Sequence, residues 1–321
     1  MRWLAIVTPL IIALTAWAHP SFATNSVISF DPEQGQFPEG IAFDHQGAMY
    51  VSLAPLGQIL RFEPNGSPSP FASFEPGTSG LAVLGLASDH RGTIYAAVPS
   101  NAPSAHGVWA IAPDGEATRL AGSEAIVFPN ALAFDHHGNL YVTDSILGAI
   151  WRIAPGAPAE LWLQQEALEG LAVLNPFPLG ANGIAYFRGR LLVANTEKRH
   201  IVEIPILHGG APGAPSIVYS FSGVSEFLDG VAVDVVGNAY VLVAGTSELV
   251  RIERSGEATT IAGTADGLNV PVSLAFGTRG SGRHTLYITN LSLPTLTPSP
   301  TPGVIAVNAD LPGPPLPRGP R

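Results

Sequence analysis

Apolar residues along this chain recur with a period of two, in runs of five or six, and Gly, Pro or Asp-x-x-Gly interrupts every few positions. That pattern predicts short β-strands joined by tight turns and leaves no stretch long enough for an amphipathic helix. The strands come in repeats. A block from Phe128 to Asp144, with Ala133 near its start, has relatives at Glu39, Leu84, Asn182, Asp229 and Val272. Aligned on the alanine, successive blocks lie 45, 46, 52, 47 and 43 residues apart. The alanine is present in all six, as Ala42, Ala87, Ala133, Ala185, Ala232 and Ala275, and an aliphatic residue always precedes it. We read that small residue as packing near a crowded axis. Six units of this length match the four-stranded blades of a β-propeller.

The reading is therefore all-β: a six-bladed β-propeller with four-stranded antiparallel blades, over residues 24–310. Blade six supplies strands near 272–277, 285–290 and 303–308 and lacks a fourth. Val27-Ile-Ser-Phe30 is expected to fill that place against Val304–Val307, so that the N-terminal strand closes the ring. Residues 311–321 read as a Pro-rich tail outside it.

Composition sharpens this picture. Arg2, an apolar run from Leu4 to Ala18 and Ser21-Phe22-Ala23 describe a secretory signal peptide over residues 1–23. The run contains Pro9 and falls short of the ~18 residues a span needs. No later stretch is long and apolar enough to cross a bilayer, so the mature protein is expected to be secreted or periplasmic, without a membrane span, and monomeric. Cysteine is absent, which removes thiol chemistry and disulfides. Without Arg2 the chain carries 14 basic and 25 acidic side chains, a net charge of −11 that repels nucleic acid.

Three positions before the shared alanine stands an irregular column: Glu39, Leu84, Asn130, Asn182, Asp229 and Val272. In a ring of strands it forms a belt at one end of the central channel. Two carboxylates and two amides offer hard oxygen donors, which suit one divalent cation, calcium first, with magnesium, manganese or zinc as alternatives. The competing reading is a set of polar residues lining a wet channel, with Asn182-Gly183 and Asp229-Gly230 serving as turn pairs. Further candidates are fewer. His45, His90, His136 and His137 fall in the repeat turns at the opposite end of the first strand. His106 lies in the loop Pro99–Gly107, on the side of the column, as a solvated histidine or a substrate contact. The insert 293–302 is the equivalent loop of blade six.

Pro38-Glu39-Gly40, Pro129-Asn130, Ala181-Asn182-Gly183 and Leu228-Asp229-Gly230 resemble the metal-binding elements of the senescence marker protein (regucalcin) and gluconolactonase family. More distantly they are similar to diisopropylfluorophosphatase and the paraoxonases. The resemblance runs from about Phe37 to Ala309. It implies one divalent cation held by Glu39, Asn130, Asn182 and Asp229, hydrolysis of a lactone or related ester, and Asp229 as general base. Phe128 departs from the pattern, standing where sugar-acid-binding members carry arginine, and points to a fairly apolar small-molecule substrate. Gly40 and Ala131 stand where paraoxonases bind a second calcium, so a single metal is expected. A non-enzymatic binding propeller and a strictosidine synthase-like condensing enzyme are the alternatives to a hydrolase.

Mass spectrometry of protein exported by a host that processes such leaders should find a chain beginning near Thr24. A mature chain beginning at Met1 contradicts the leader.

Overall fold

Six four-stranded antiparallel sheets are arranged as the blades of a propeller. The computed structural model describes residues 24–64, 67–77, 80–174, 176–292 and 301–319. The innermost strands are Pro38–Phe43, Leu86–Ser88, Pro129–Phe134, Ala181–Phe187, Leu228–Val233 and Pro271–Phe276. The second strands are Met49–Leu53, Ile94–Val98, Leu140–Asp144, Arg190–Asn195, Ala239–Val243 and Thr285–Asn290. Four of these second strands are buried at every residue, because neighbouring blades cover both faces of the sheet.

The repeated alanine has a specific cross-strand reason. In five blades it pairs directly with a tyrosine on the second strand: Ala42 with Tyr50, Ala87 with Tyr95, Ala133 with Tyr141, Ala232 with Tyr240 and Ala275 with Tyr287. A small residue opposite a large ring lets the two strands keep their spacing. In blades one, two, three and five the tyrosine hydroxyl reaches the aspartate of the intervening turn, at 3.1 to 3.4 Å. That aspartate also accepts turn amides; Asp44 takes those of Gln46 and Ala48 at 2.8 and 3.0 Å. The Asp-x-x-Gly signal is thus half of a longer unit in which turn and core are fastened together. Crowding at the axis does exist, but glycine answers it one position after the column. A β-carbon on Gly40 would lie 2.2 Å from Leu84 O, one on Gly85 2.4 Å from Asn130 O, and one on Gly183 2.3 Å from Asp229 O. Asn182-Gly183 and Asp229-Gly230 therefore lie inside strands, where the next blade's carbonyl presses on the glycine, and are not turn pairs.

The ring closes in blade six, where the N-terminal strand Thr24–Ser29 pairs with Gly303–Asn308. It begins three residues earlier than expected, running from Thr24 opposite Val307 to Ser29 opposite Gly303, with a bulge between Ser26 and Ile28. The Pro-rich tail is not a free appendage. Pro312 O accepts from Val235 N in blade five and Pro317 O from His90 N in blade two, each at 3.0 Å, so the tail straps opposite sides of the ring. It floors a cavity of about 880 Å³ at the turn end of the channel. Among the described residues no helix is long and apolar enough to cross a membrane. The predicted leader and most of the blade-six insert (293–300) lie outside the described residues.

Deleting residues 24–29 removes the pairing that closes the ring and should lower the melting temperature by roughly 10 °C or more, as expected for several kcal/mol in a chain of this size. An unchanged melting temperature means that the ring is held shut some other way.

Candidate metal centre at the channel mouth

The polar column sits on a backbone irregularity. In five of the six innermost strands the register slips at the column residue: between Pro38 and Ile41, Pro129 and Leu132, Ala181 and Ile184, Leu228 and Val231, and Pro271 and Ser273. Such a bulge takes one residue out of the ladder and re-aims its side chain. Glu39 on blade one and Asp229 on blade five are separated by blade six. Glu39 nevertheless stands near enough to Asp229 for its charge to raise that carboxyl's pKa.

Two further features bear on what the column can hold. Asn130 and Asn182 are almost fully buried, and each donates its amide nitrogen to a hydroxyl behind it: Asn130 Nδ2 to Ser145 Oγ at 2.9 Å, Asn182 Nδ2 to Thr196 Oγ1 at 3.0 Å. With the nitrogens committed, the amide oxygens remain for a ligand. Ser145 Oγ in turn donates to Ala181 O at 2.6 Å, tying the Asn130 support to blade four. Glu39 is partly open to the channel, yet its Oε2 is shielded from solvent and has no hydrogen-bond partner.

Electrostatics agree with the geometry. Burial pushes the Glu39 carboxyl from 4.5 up to about 8. Burial and then repulsion from Glu39 carry Asp229 well above the ordinary carboxylate range, while a hydrogen bond from Asn182 partly offsets them. Two half-buried carboxylates and two oriented amide oxygens make an oxygen-rich, electron-rich site that fits a hard divalent cation.

The structure brings Glu39 and Asp229 together and gives Asn130 and Asn182 matching orientations, while Leu84 and Val272 complete the column as buried apolar residues. Phe128 is half-buried just ahead of Asn130, its amide donating to Asp144 Oδ1 at 3.0 Å. His106 is not a solvated loop histidine. Its Nδ1 lies 3.0 Å from Ser100 O and its Nε2 2.7 Å from Ile126 O, so both ring nitrogens face the backbone. His45, His90, His136 and His137 are exposed in the turns at the far end.

Sequence reasoning missed a group of residues beside Asn182. Asn195, Thr196, Glu197 and Lys198, at the end of the second strand of blade four, all grip the loop or strand that leads to it. Asn195 Nδ2 donates to Ala167 O and Glu169 O at 3.1 and 2.9 Å, and Lys198 Nζ donates to Glu166 O. Glu197 accepts the backbone amides of Leu171, Ala172, Val173, Leu174 and Leu179. A fully buried carboxylate needs such partners, but no spacing rule says where they come from.

Known proteins bear on this geometry in three ways. Residues 179–292, which include Asn182 and Asp229, match the family described as SMP-30/Gluconolactonase/LRE-like region, and residues 28–62, which include Glu39, match Strictosidine synthase-like, N-terminal. No curated protein matches the chain in sequence. Among solved structures, the calcium-binding protein regucalcin from Agrobacterium tumefaciens superposes with a TM-score of 0.68 at 15% identity, covering 93% of this chain and 98% of its own. A gluconolactonase from Xanthomonas campestris gives 0.65 at 15% identity, covering 92% and 99%. A luciferin-regenerating enzyme gives 0.66 at 16% identity over the same shares. The resemblance to the senescence marker protein and gluconolactonase group is therefore present in both sequence and fold, and the six-bladed architecture is shared along nearly the whole chain.

The raised Glu39 pKa fixes the sign of a pH effect. A carboxyl harder to ionise in the folded than in the unfolded chain favours folding below its unfolded pKa, and that contribution fades as pH climbs toward the folded value. In chelator, wild-type protein should lose melting temperature between about pH 5 and pH 8 relative to Glu39→Gln, with the two nearly equal at the acid end. Parallel curves across that window contradict the burial of a strained carboxylate.

Proposed function

We propose that this protein is an exported hydrolase of a lactone or related ester, dependent on one divalent cation held by Glu39, Asn130, Asn182 and Asp229. What supports the reading is a column at one channel end whose two half-buried carboxylates stand near enough for one to raise the pKa of the other, and whose two amides already have their nitrogens engaged. Without a cation such a set is electrostatically costly, and a ring of this size has ample apolar alternatives for those positions. The leader over residues 1–23 supports action outside the cytoplasm, and calcium is the first choice because all four donors are oxygen.

Opening a lactone requires water to add to the carbonyl carbon, a proton to leave that water, and a proton to reach the departing alkoxide oxygen. When bound, the cation polarises the carbonyl and stabilises the developing oxyanion. In this reading Asp229 takes the water proton and returns it to the alkoxide. Its burial and the neighbouring Glu39 favour proton uptake, whereas a bound cation opposes it, so its basicity under working conditions is set between the two. Asn130 and Asn182 present neutral oxygens fixed by Ser145 and Thr196, which keeps the site open to a carbonyl. Phe128 supplies apolar surface at the mouth.

The strictosidine synthase-like match over residues 28–62 favours a second reading, a condensing enzyme without a metal requirement. Calorimetric titration with calcium separates the two. Wild type and Leu84→Ala should bind alike. Glu39→Gln should bind more weakly, with activity partly restored by excess calcium. Asp229→Asn should lose turnover of a lactone panel with little loss of fold. Equal, millimolar-or-weaker binding by wild type and Asp229→Asn removes the metal and favours the second reading or a binding propeller.

A further inference from the structure

The loop leading into blade four, described over residues 165–174 and 176–180, is organised around a charge buried beneath it. Glu197 is fully buried, and its carboxylate accepts backbone amides from five residues: Leu171, Ala172 at 2.7 Å, Val173 at 3.0 Å, Leu174 at 2.9 Å and Leu179 at 3.2 Å. Consecutive amides that converge on one anion form a nest, and here the anion is part of the protein. Burial alone would raise the Glu197 pKa, but the amides bring it below the ordinary carboxylate value. Ala172 is held in the left-handed region at φ 56°, a strained conformation that the amide bonds enforce. The neck is closed as tightly: a β-carbon on Gly170 would lie 2.4 Å from Leu179 N, and one on Gly180 2.0 Å from Leu168 O. The segment is an Ω-shaped loop with a polar centre.

What this centre supports is an outward apolar surface. Leu171, Val173, Leu174 and Phe177 are 53%, 62%, 41% and 41% exposed. Side chains of this kind normally collapse onto the protein, and a rigid backbone that displays them marks a contact surface. The display continues on the adjoining lead-in loops. Val127, three residues before Asn130, is 50% exposed, and Val224, five residues before Asp229, is 80% exposed. Exposed apolar side chains thus lie just ahead of three of the four column residues. The same loops contain Glu124, Glu166, Glu169 and Glu226 and no lysine or arginine, so an anionic ligand or an anionic lipid surface is disfavoured and a neutral apolar ligand is favoured.

We propose that Leu171, Val173, Leu174 and Phe177 of this loop form an aliphatic-chain subsite. It takes the alkyl arm of a neutral lactone or ester whose carbonyl lies at the Glu39–Asn130–Asn182–Asp229 column, and Glu197 is the positioning residue that holds it. This rests on the hydrolase reading above and adds to it the substrate class and the residues that select it.

The test uses δ-lactones with alkyl substituents from methyl to octyl, and the matching lactams, which are not hydrolysed and are read by calorimetry. Four proteins are compared: wild type, Glu197→Gln, the double variant Val173→Ser/Leu174→Ser, and the control Val236→Ser, whose side chain is exposed at the opposite end of the ring. In wild type and the control, kcat/KM for lactones and affinity for lactams should rise about tenfold along the series, the effect of roughly two newly buried methylenes. Both loop variants should flatten that rise, and the surface double variant should leave the methyl lactone rate and calcium affinity within about twofold, a split that general destabilisation does not produce. If Glu197→Gln lowers every rate equally, its role is structural and the positioning assignment fails. A flat series in wild type, with lactones still hydrolysed, overturns the subsite and leaves the hydrolase. Chain-length-dependent lactam binding that is lost in the loop variants, with no lactone hydrolysed, overturns the hydrolase and leaves the subsite. The double variant keeps the test decisive if Glu197→Gln fails to fold, because its two positions are on the surface.

Discussion

Around the central channel, the carbonyls of three column residues press into the neighbouring blade so closely that a β-carbon has no room. Leu84 O sits where a side chain on Gly40 would start, Asn130 O where one on Gly85 would, and Asp229 O where one on Gly183 would. This contact sets how near the innermost strands approach, and in five of the six blades a bulge at the same level takes the column residue out of the ladder. The polar belt at the channel mouth is therefore a product of ring packing. A residue larger than glycine at these positions would push the blades apart and disperse the oxygens the belt brings together.

Hydroxyl groups on the second strands complete that arrangement. Ser52 Oγ accepts from Gly40 N at 2.6 Å and donates to Leu84 O at 2.8 Å, linking blades one and two, while Thr289 Oγ1 donates to Glu39 O, linking blades six and one. Ser145 and Thr196 engage the amide nitrogens of Asn130 and Asn182. Small hydroxyls thus perform two tasks, satisfying backbone groups at the crowded axis and orienting the amides. The two carboxylates fare differently: burial raises both pKa values, repulsion from Glu39 adds to that of Asp229 while a hydrogen bond from Asn182 partly offsets it, and Glu39 Oε2 is left without a partner. The strain is concentrated at one point, as at a site built for a ligand.

The two ends of the channel are treated differently. At the turn end the C-terminal tail crosses from blade five to blade two and floors the cavity. At the column end the long loop of blade four is braced from below by Glu197 and presents apolar side chains. Access to the column is thereby biased to the end with the apolar rim.

Much of this was readable from residue order because it repeats. Strand periodicity, the alanine register and the missing fourth strand of blade six specify a closed six-bladed ring, since a two-residue alternation fixes which faces are buried and a fixed repeat length fixes how many blades share the core. The column of Glu39, Asn130, Asn182 and Asp229 stood out for the same reason, as polar residues at a position that is apolar in other repeats. What did not repeat was not legible. The strap formed by Pro312 and Pro317, the five amides gathered by Glu197, the two carbonyls beside the His106 ring and the tyrosine opposite five of the six alanines all depend on groups far apart in the chain or on another strand. Hydrogen bonds from side chain to distant backbone leave no spacing in a sequence. Whether Glu39 and Asp229, with blade six between them, come near enough to repel each other was decided by the tertiary structure, because only ring closure brings their strands around one axis.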